Sequence, residues 1–217
     1  MDTGTVPCFR YTAAAFARKY ALADSFKVNF KGAVSWAFEF EDQPWFHGFR
    51  DLATNGVDKP VLNVFRMYGK MSGKRVKVSG NQNYTFWKIR DSSVRRLPDI
   101  DALASRDKKN ACIMIWNYHD NDTIAPVSPI EVRITGIPAK KVRMTHYRID
   151  SEHSNSYEVW KKMGSPQQPT PEQVAILEKA GQLAMLHDPK QITVNKGEAI
   201  INLELPRQGV SLLRLDW

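Results

Sequence analysis

The pattern of apolar and polar positions changes character near residue 73. Before it, the periodicity is mixed. Residues 11–23, YTAAAFARKYALA, are rich in helix formers, and Phe16, Ala17, Tyr20 and Ala21 or Ala23 fall on one helical stripe. The run GAVSWAFEF at 32–40 is continuous, apolar and aromatic, the pattern of a strand covered on both faces in a parallel sheet or barrel. EDQPW at 41–45 ends that run with acids and a proline. A second helix is predicted over 59–71, KPVLNVFRMYGKM, with Pro60 at the first helical position and Leu62, Phe65 and Met71 on one side. Helix, buried strand, acidic-aromatic loop and helix make one and a half βα units. That is too few to close a sheet.

From residue 74 the chain reads as short strands separated by turns. The expected strands are RVKVSG (75–80), YTFWKIR (84–90), ACIMIWNYH (111–119), EVRITGI (131–137), KVRMTHYRI (141–149), EAIINLEL (198–205) and VSLLRL (210–215). Their number and spacing predict an antiparallel β-sandwich. One helix interrupts it, at about 170–186: Thr170 is a good N-cap, Pro171 sits at N1 and Gln173 completes a capping-box pattern. Val174, Leu177 and Ala184 carry its apolar spacing, and Gly181 weakens it. The fold class is therefore α/β plus all-β, with domains at 1–73 and 74–217.

Composition narrows the function classes. With 42% hydrophobic and 25% charged residues the chain is globular, and at 217 residues it needs no covalent staples. Cys8 and Cys112 fit no metal or redox spacing and read as two reduced thiols. Lys and Arg outnumber Asp and Glu by 31 to 23, a net +8. The excess is scattered in pieces such as KRVK (74–77), VRRL (94–97) and KKVR (140–143), which read as solvated surface rather than a nucleic-acid site. No stretch approaches the ~20 apolar residues of a membrane span, so no membrane role is expected. No signal peptide is visible, which leaves the compartment, cytoplasmic or secreted, undetermined.

The densest chemical signal is WAFEFEDQPWFHGFR at 36–50. A buried strand there runs into three acids, a glutamine, three aromatics, a histidine and an arginine. Sugar sites need this mixture, because aromatic faces stack on C–H surfaces while carboxylates and amides bond hydroxyls. Loops at the C-terminal ends of barrel strands are where such sites are built. Glu39 and Glu41 do not make a catalytic pair: residues i and i+2 of a strand stand side by side, whereas glycoside hydrolysis needs two carboxyls flanking the scissile bond. WNYHDNDT (116–123) puts His119, Asp120 and Asp122 nearly in sequence, which suits a strand-ending turn better than a metal site. THYRIDSEHSNSYEVW (145–160) reads as a solvated loop. No metal and no cofactor are expected.

The stretch GAVSWAFEFEDQPWFHGFRDLATNGVDKPVLNVFRMYGKM (32–71) resembles the end of the catalytic barrel in bacterial glycoside hydrolase family 39, which includes β-xylosidases. YTAAAFARK (11–19) resembles the helix before it, and DIDALASRD (99–107), WNYHDND (116–122), PTPEQVAILEKAGQLA (169–184) and LPRQGVSLL (205–213) extend the similarity over nearly the whole chain. The resemblance implies a (β/α)8 barrel followed by a β-sandwich, and a retaining mechanism. It implies that 1–73 supplies helix 7, strand 8 and helix 8 of the barrel. The acid/base Glu of strand 4 and the nucleophile Glu of strand 7 would lie upstream of Met1, so no residue here is assigned as catalytic.

The strand-8 rim is what carries over. Trp36 fits the Trp that floors the sugar being cleaved, and Glu39, Glu41 and Asp42 fall where the family's strand-8 acids bond xylose hydroxyls. Trp45, Phe46 and His47 are placed to wall the entrance. The implied partners are xylose-containing oligosaccharides or small β-xylosides, together with the missing N-terminal barrel portion; the chain alone is expected to be inactive. A related branch acts on α-iduronides, so the family does not fix the sugar. The competing expectation is a non-catalytic β-sandwich module that binds glycan or a partner protein.

Overall fold

The computed structural model describes residues 9–35, 38–40, 42–48 and 51–217, and the side chains of all of these except Phe9 and Arg10. In chain order the elements begin with helix α1 (Phe9–Ser25), strands β1 (Ala53–Thr54) and β2 (Val57–Asp58), helix α2 (Pro60–Lys70), strand β3 (Lys74–Val76) and helix α3 (Phe86–Ser92). Strands β4 (Asp99–Arg106), β5 (Asn110–Tyr118), β6 (Ser128–Thr135) and β7 (Lys141–Ile149) follow. Helices α4 (Ser156–Lys162) and α5 (Pro171–Ala180) precede the last strands, β8 (Lys190–Thr193), β9 (Glu198–Leu205) and β10 (Val210–Asp216). The chain forms two compact units. One comprises residues 1–66 and 149–184, the other 67–148 and 185–217.

In the first unit, α1 and α2 form where expected but bury other faces. The stripe of α1 is Ala13, Ala14 and Ala17, while Tyr20 is exposed. Phe16 meets Phe65 edge to face at 5.2 Å between ring centroids. In α2 the buried positions are Pro60, Val61, Asn63, Val64 and Met67, not Leu62 and Phe65. β1 and β2 form a small hairpin whose two-residue turn, Asn55–Gly56, has φ of 46° and 79°. Both values suit the type I′ turn that Asn-Gly favours.

The segment 149–184 belongs to this unit rather than to the sheets. Its side of the core is Trp160 and Leu177, which cluster with Phe46 and Val57. Asn63 of α2 ties it down, its Nδ2 donating to the carbonyls of Ser154 at 3.0 Å and Gly181 at 2.8 Å. The capping box of α5 forms as the sequence predicts: Thr170 Oγ1 accepts from Gln173 N–H, and Gln173 Oε1 accepts from Thr170 N–H. The helix stops at Ala180, short of the expected 186, with Gly181 as C-cap. The segment 145–160, read as a loop, contains the end of β7 and most of α4, which is capped by the Asn155 side chain on Glu158 N–H.

The strand expected at 32–40 does not form among its described residues. Val34 (95% exposed), Phe38 and Phe40 face solvent. A barrel strand is held by ladders to neighbours on both sides, and among the described residues no strand pairs with this one. Its recorded backbone bonds run from Leu52 and Ala53 N–H to Phe38 O.

The second unit has a six-stranded sheet in the order β3-β4-β5-β10-β7-β8, in which β3–β4, β4–β5, β5–β10 and β7–β8 pair antiparallel, and a two-stranded antiparallel sheet of β6 and β9. Alternate residues of β6 are half-buried, so one face turns inward. Ile130, Val132 and Ile134 of β6 and Ile201 of β9 pack into one apolar core with Ile113, Ile115, Leu213 and Leu215 of the large sheet. YTFWKIR at 84–90, expected as a strand, is mostly α3. Thr85 decides this locally, its side chain accepting from Lys88 N–H at 3.2 Å, and alternation over four or five residues is too short a signal to outweigh a cap. β4 and β8 were not among the expected strands.

Candidate functional site

The acidic-aromatic segment is organised by the first unit's hairpin and by α4 and α5. Glu39, half-buried, accepts from Gly56 N–H at 3.0 Å, so its carboxylate holds the β1–β2 turn. Asp42 has φ of 57° and an exposed side chain. His47 N–H donates to Pro44 O at 2.9 Å, closing a tight turn over 44–47, and the His47 side chain is exposed. Trp45 is half-buried, and its N–H donates to Gln167 Oε1 at 2.9 Å.

Phe46 departs from expectation. It is 3% exposed and packs on Trp160 at 5.0 Å and Tyr157 at 5.6 Å between ring centroids. It therefore offers no face to a sugar; it anchors the loop. Its own φ of 57° is unusual for a bulky residue. The N–H exposed by that conformation is taken up by Thr54 Oγ1 at 2.9 Å.

Behind the loop lies a buried ion pair that the sequence did not announce. Lys59, directly before α2, places Nζ 2.7 Å from His47 O and 3.3 Å from Gly48 O, with Asp51 Oδ2 at 3.6 Å. Lys59 and Asp51 are 7% and 5% exposed. A lysine before a helix proline carries no pattern of its own, so only the fold reveals it. The hairpin was not read from the sequence either, although Asn55-Gly56 is a strong turn signal that could have found it.

The described part of the segment thus displays the side chains of Asp42 and His47 outward, with Glu39 and Trp45 half-covered, on a backbone fixed from behind. Carboxylate, imidazole and indole there suit binding of hydroxyls and a C–H face. Trp36 and Glu41, the other two expected contact residues, lie outside the described residues, as does Cys8. Among the described residues, no group of three or more His, Cys, Asp or Glu side chains could hold a metal ion, and no helix is long and apolar enough to cross a membrane.

The other clusters are structural in their bonding. Asp120 accepts from Tyr118 Oη at 2.9 Å and from Val94 N–H at 2.8 Å, and His119 Nδ1 accepts from Asn121 N–H at 2.9 Å. His146 and Arg148, both buried, converge on Ser211 Oγ at 2.9 Å each. Cys112 is a free buried thiol. Burial pushes its pKa up, against a smaller opposing pull from Arg214.

Comparison with known proteins gives the class and then the family. The fold resembles a family 39 glycoside hydrolase from Xanthomonas axonopodis pv. citri, with a TM-score of 0.70 and 17% identity, over 97% of this chain and 42% of that one. It resembles a monomeric β-xylosidase from Caulobacter crescentus equally, with a TM-score of 0.70 and 18% identity, over 99% of this chain and 44% of that one. The architecture is that of part of a glycoside hydrolase.

The chain belongs to Glycosyl hydrolases family 39, whose profile matches residues 9–196. A curated relative, a β-xylosidase of Caldicellulosiruptor saccharolyticus, is 28% identical over 144 residues, which are 64% of this chain and 26% of that protein. The chain therefore spans about a quarter of that relative, and less than half of the two solved enzymes.

Proposed function

We propose that this chain is the C-terminal part of a retaining glycoside hydrolase that cleaves β-xylosides from their non-reducing ends. Residues 1–73 would complete its (β/α)8 barrel and 74–217 would form its accessory sandwich, with 149–184 returning to pack beside the barrel segment. The observation that carries this reading is the segment 32–40. It has the sequence of a strand buried on both faces, yet Val34, Phe38 and Phe40 are exposed. Large apolar side chains in a row are stable in water only when another surface covers them. An N-terminal barrel portion would pair with this strand and bury it. The β-xylosidase name of the curated relative supports the choice of sugar.

In this reading the chain supplies binding and shape. Trp36 floors the sugar ring, Glu39, Glu41 and Asp42 bond its hydroxyls, and Trp45 and His47 line the entrance. The nucleophile and the acid/base lie on the upstream portion, with carboxyls ~5–5.5 Å apart as a retaining mechanism requires. One forms the glycosyl-enzyme; the other protonates the leaving group and then activates water.

The test is to read the DNA upstream of Met1 in frame, express the longer product, and assay it against aryl β-xylosides and aryl α-iduronides beside the 217-residue chain. The expected result is xyloside hydrolysis with retention by the longer protein and none by the chain alone. Hydrolysis of the iduronide with the xyloside untouched would overturn the choice of sugar. Hydrolysis by the chain alone would overturn the division of labour.

A further inference from the structure

The first stretch of the second unit, residues 74–97, follows the open edge of the large sheet. β3 pairs with the far end of β4, Lys74 opposite Arg106 and Val76 opposite Ala104. The chain then continues in the same direction along that strand, so that Ile100 N–H donates to Gln82 O and Tyr84 N–H to Asp99 Oδ1. Asp99 is fully buried and also accepts from Trp116 Nε1 at 3.0 Å. Asp120 fixes the end of the stretch through Val94. The path is therefore rigidly set, and it covers the length of β4, about 23 Å at 3.3 Å per residue.

Two kinds of side chain crowd this edge. Val76, Val78, Phe86, Trp87 and Leu97 are exposed, Trp87 at 52% and Leu97 at 72%. Around them stand the exposed cations of KRVK (74–77), Lys88, Arg90, Arg95 and Arg96, against Asp91 within the stretch and Asp120 beside Arg95. Arg90 lies 4.8 Å from the Trp87 ring centre, and Phe86 meets Trp87 edge to face at 5.2 Å. Edge-strand lysines alone would be explained as a guard against sheet-to-sheet pairing. That does not account for an exposed Trp–Phe pair on a helix none of whose residues is buried. The ion pairs Arg90–Asp91 and Arg95–Asp120 are exposed, and pairs of this kind are weak, so the edge keeps an excess of positive charge.

We infer that this edge is a second binding surface, for an extended anionic glycan: a xylan chain bearing uronic-acid groups. Such a polymer presents sugar C–H faces to Trp87 and Phe86 and carboxylates to the flanking cations. Its identity as a xylan rests on the proposed function, but its capture needs none of the catalytic carboxylates.

The test is affinity electrophoresis and calorimetry of the 217-residue chain with glucuronoxylan, with the same polymer after carboxyl reduction, and with single-stranded DNA. Glucuronoxylan is expected to bind, with carboxyl reduction and Trp87→Ala each weakening it about tenfold, and with the double variant Arg95→Glu/Arg96→Glu flattening the salt dependence. Trp87→Ala should leave the thermal unfolding curve unchanged. Equal binding of the reduced polymer, unchanged binding by Trp87→Ala, tighter binding of DNA, or no binding at all would each overturn the inference. If the extended enzyme hydrolyses some other glycoside, only the proposed function falls, since this binding is read on its own.

Discussion

Lys59 and Asp51 form a buried ion pair, Nζ to Oδ2 3.6 Å, with side chains only 9% and 6% exposed. The same ammonium donates to the carbonyls of His47 and Gly48, so one charge fixes the loop that displays the candidate sugar contacts. Lys59→Met removes the cation and leaves a carboxylate and two carbonyls without it. The expected loss is about 3–5 kcal/mol in urea denaturation, typical of breaking one partner of a buried pair. Adding Asp51→Asn should recover part of that loss, because the orphaned charge disappears. A double variant no more stable than Lys59→Met would show that the ammonium acts through the two carbonyls and not through Asp51.

What the sequence revealed, and what it did not, follows the range of the interactions. The capping box at Thr170 and Gln173 and the start of α2 at Pro60 are set within one helical turn, and both were legible. The strand expected at 32–40 was a statement about partners elsewhere in a barrel, which a local pattern cannot supply. The grouping of 149–184 with the first unit rests on contacts such as Asn63 with Gly181, 118 residues apart. Of the expected site residues, Asp42 and His47 are displayed, while Phe46 is in the core. An aromatic between Trp45 and His47 reads the same in either role until Trp160 and Leu177 are brought to it.

Gly181 makes a prediction of opposite sign to helix propensity. It ends α5 with ordinary right-handed helical backbone, where Ala is normally better than Gly by up to about 1 kcal/mol. A Cβ there would lie 2.7 Å from Asp58 O, a backbone atom with nowhere to move, and 3.1 Å from Asp58 Cβ. Gly181→Ala should therefore destabilise, by about 1–3 kcal/mol as for other overpacked positions. A raised melting temperature would mean that the helix end can withdraw from β2.

Phe46 and His47 are neighbours in sequence with opposite expectations. Phe46→Ala empties the center of the Trp160–Leu177 cluster and should cost about 3–5 kcal/mol. His47→Ala, at an exposed side chain, should stay within about 0.5 kcal/mol. Binding of xylose by the extended enzyme should respond in the reverse sense for the folded variants: His47→Ala raises KM while stability holds. A stable protein with unchanged KM would remove His47 from the sugar entrance.

Cys112 should be inert in the native protein. Its thiol is buried and its pKa raised chiefly by that burial, so little thiolate exists near neutral pH. Native protein treated with a thiol reagent at pH 7.5 should show no modification at Cys112 by peptide mass mapping, and full modification in denaturant. Rapid native labelling would mean that the strand pair β5–β10 opens locally.

Asp107 provides the pH test. Its carboxylate accepts from Ser72 Oγ at 2.5 Å and from the N–H groups of Lys109 and Asn110, and its pKa is lowered from 3.8 to about 2, with the Ser72 bond as the largest cause. A carboxyl depressed in the folded state contributes stability that is fully present above its unfolded pKa and is lost as pH falls through the folded one. The stability difference between the parent protein and Asp107→Asn should therefore be constant above about pH 4 and shrink steadily between pH 4 and 2. Ser72→Ala, by removing the leading donor, should raise the Asp107 pKa toward 3.8 and narrow that window from below. Denaturation of the three proteins across this range is the measurement. A difference that stays flat down to pH 2 would mean that the carboxylate form is not what holds the β4–β5 turn.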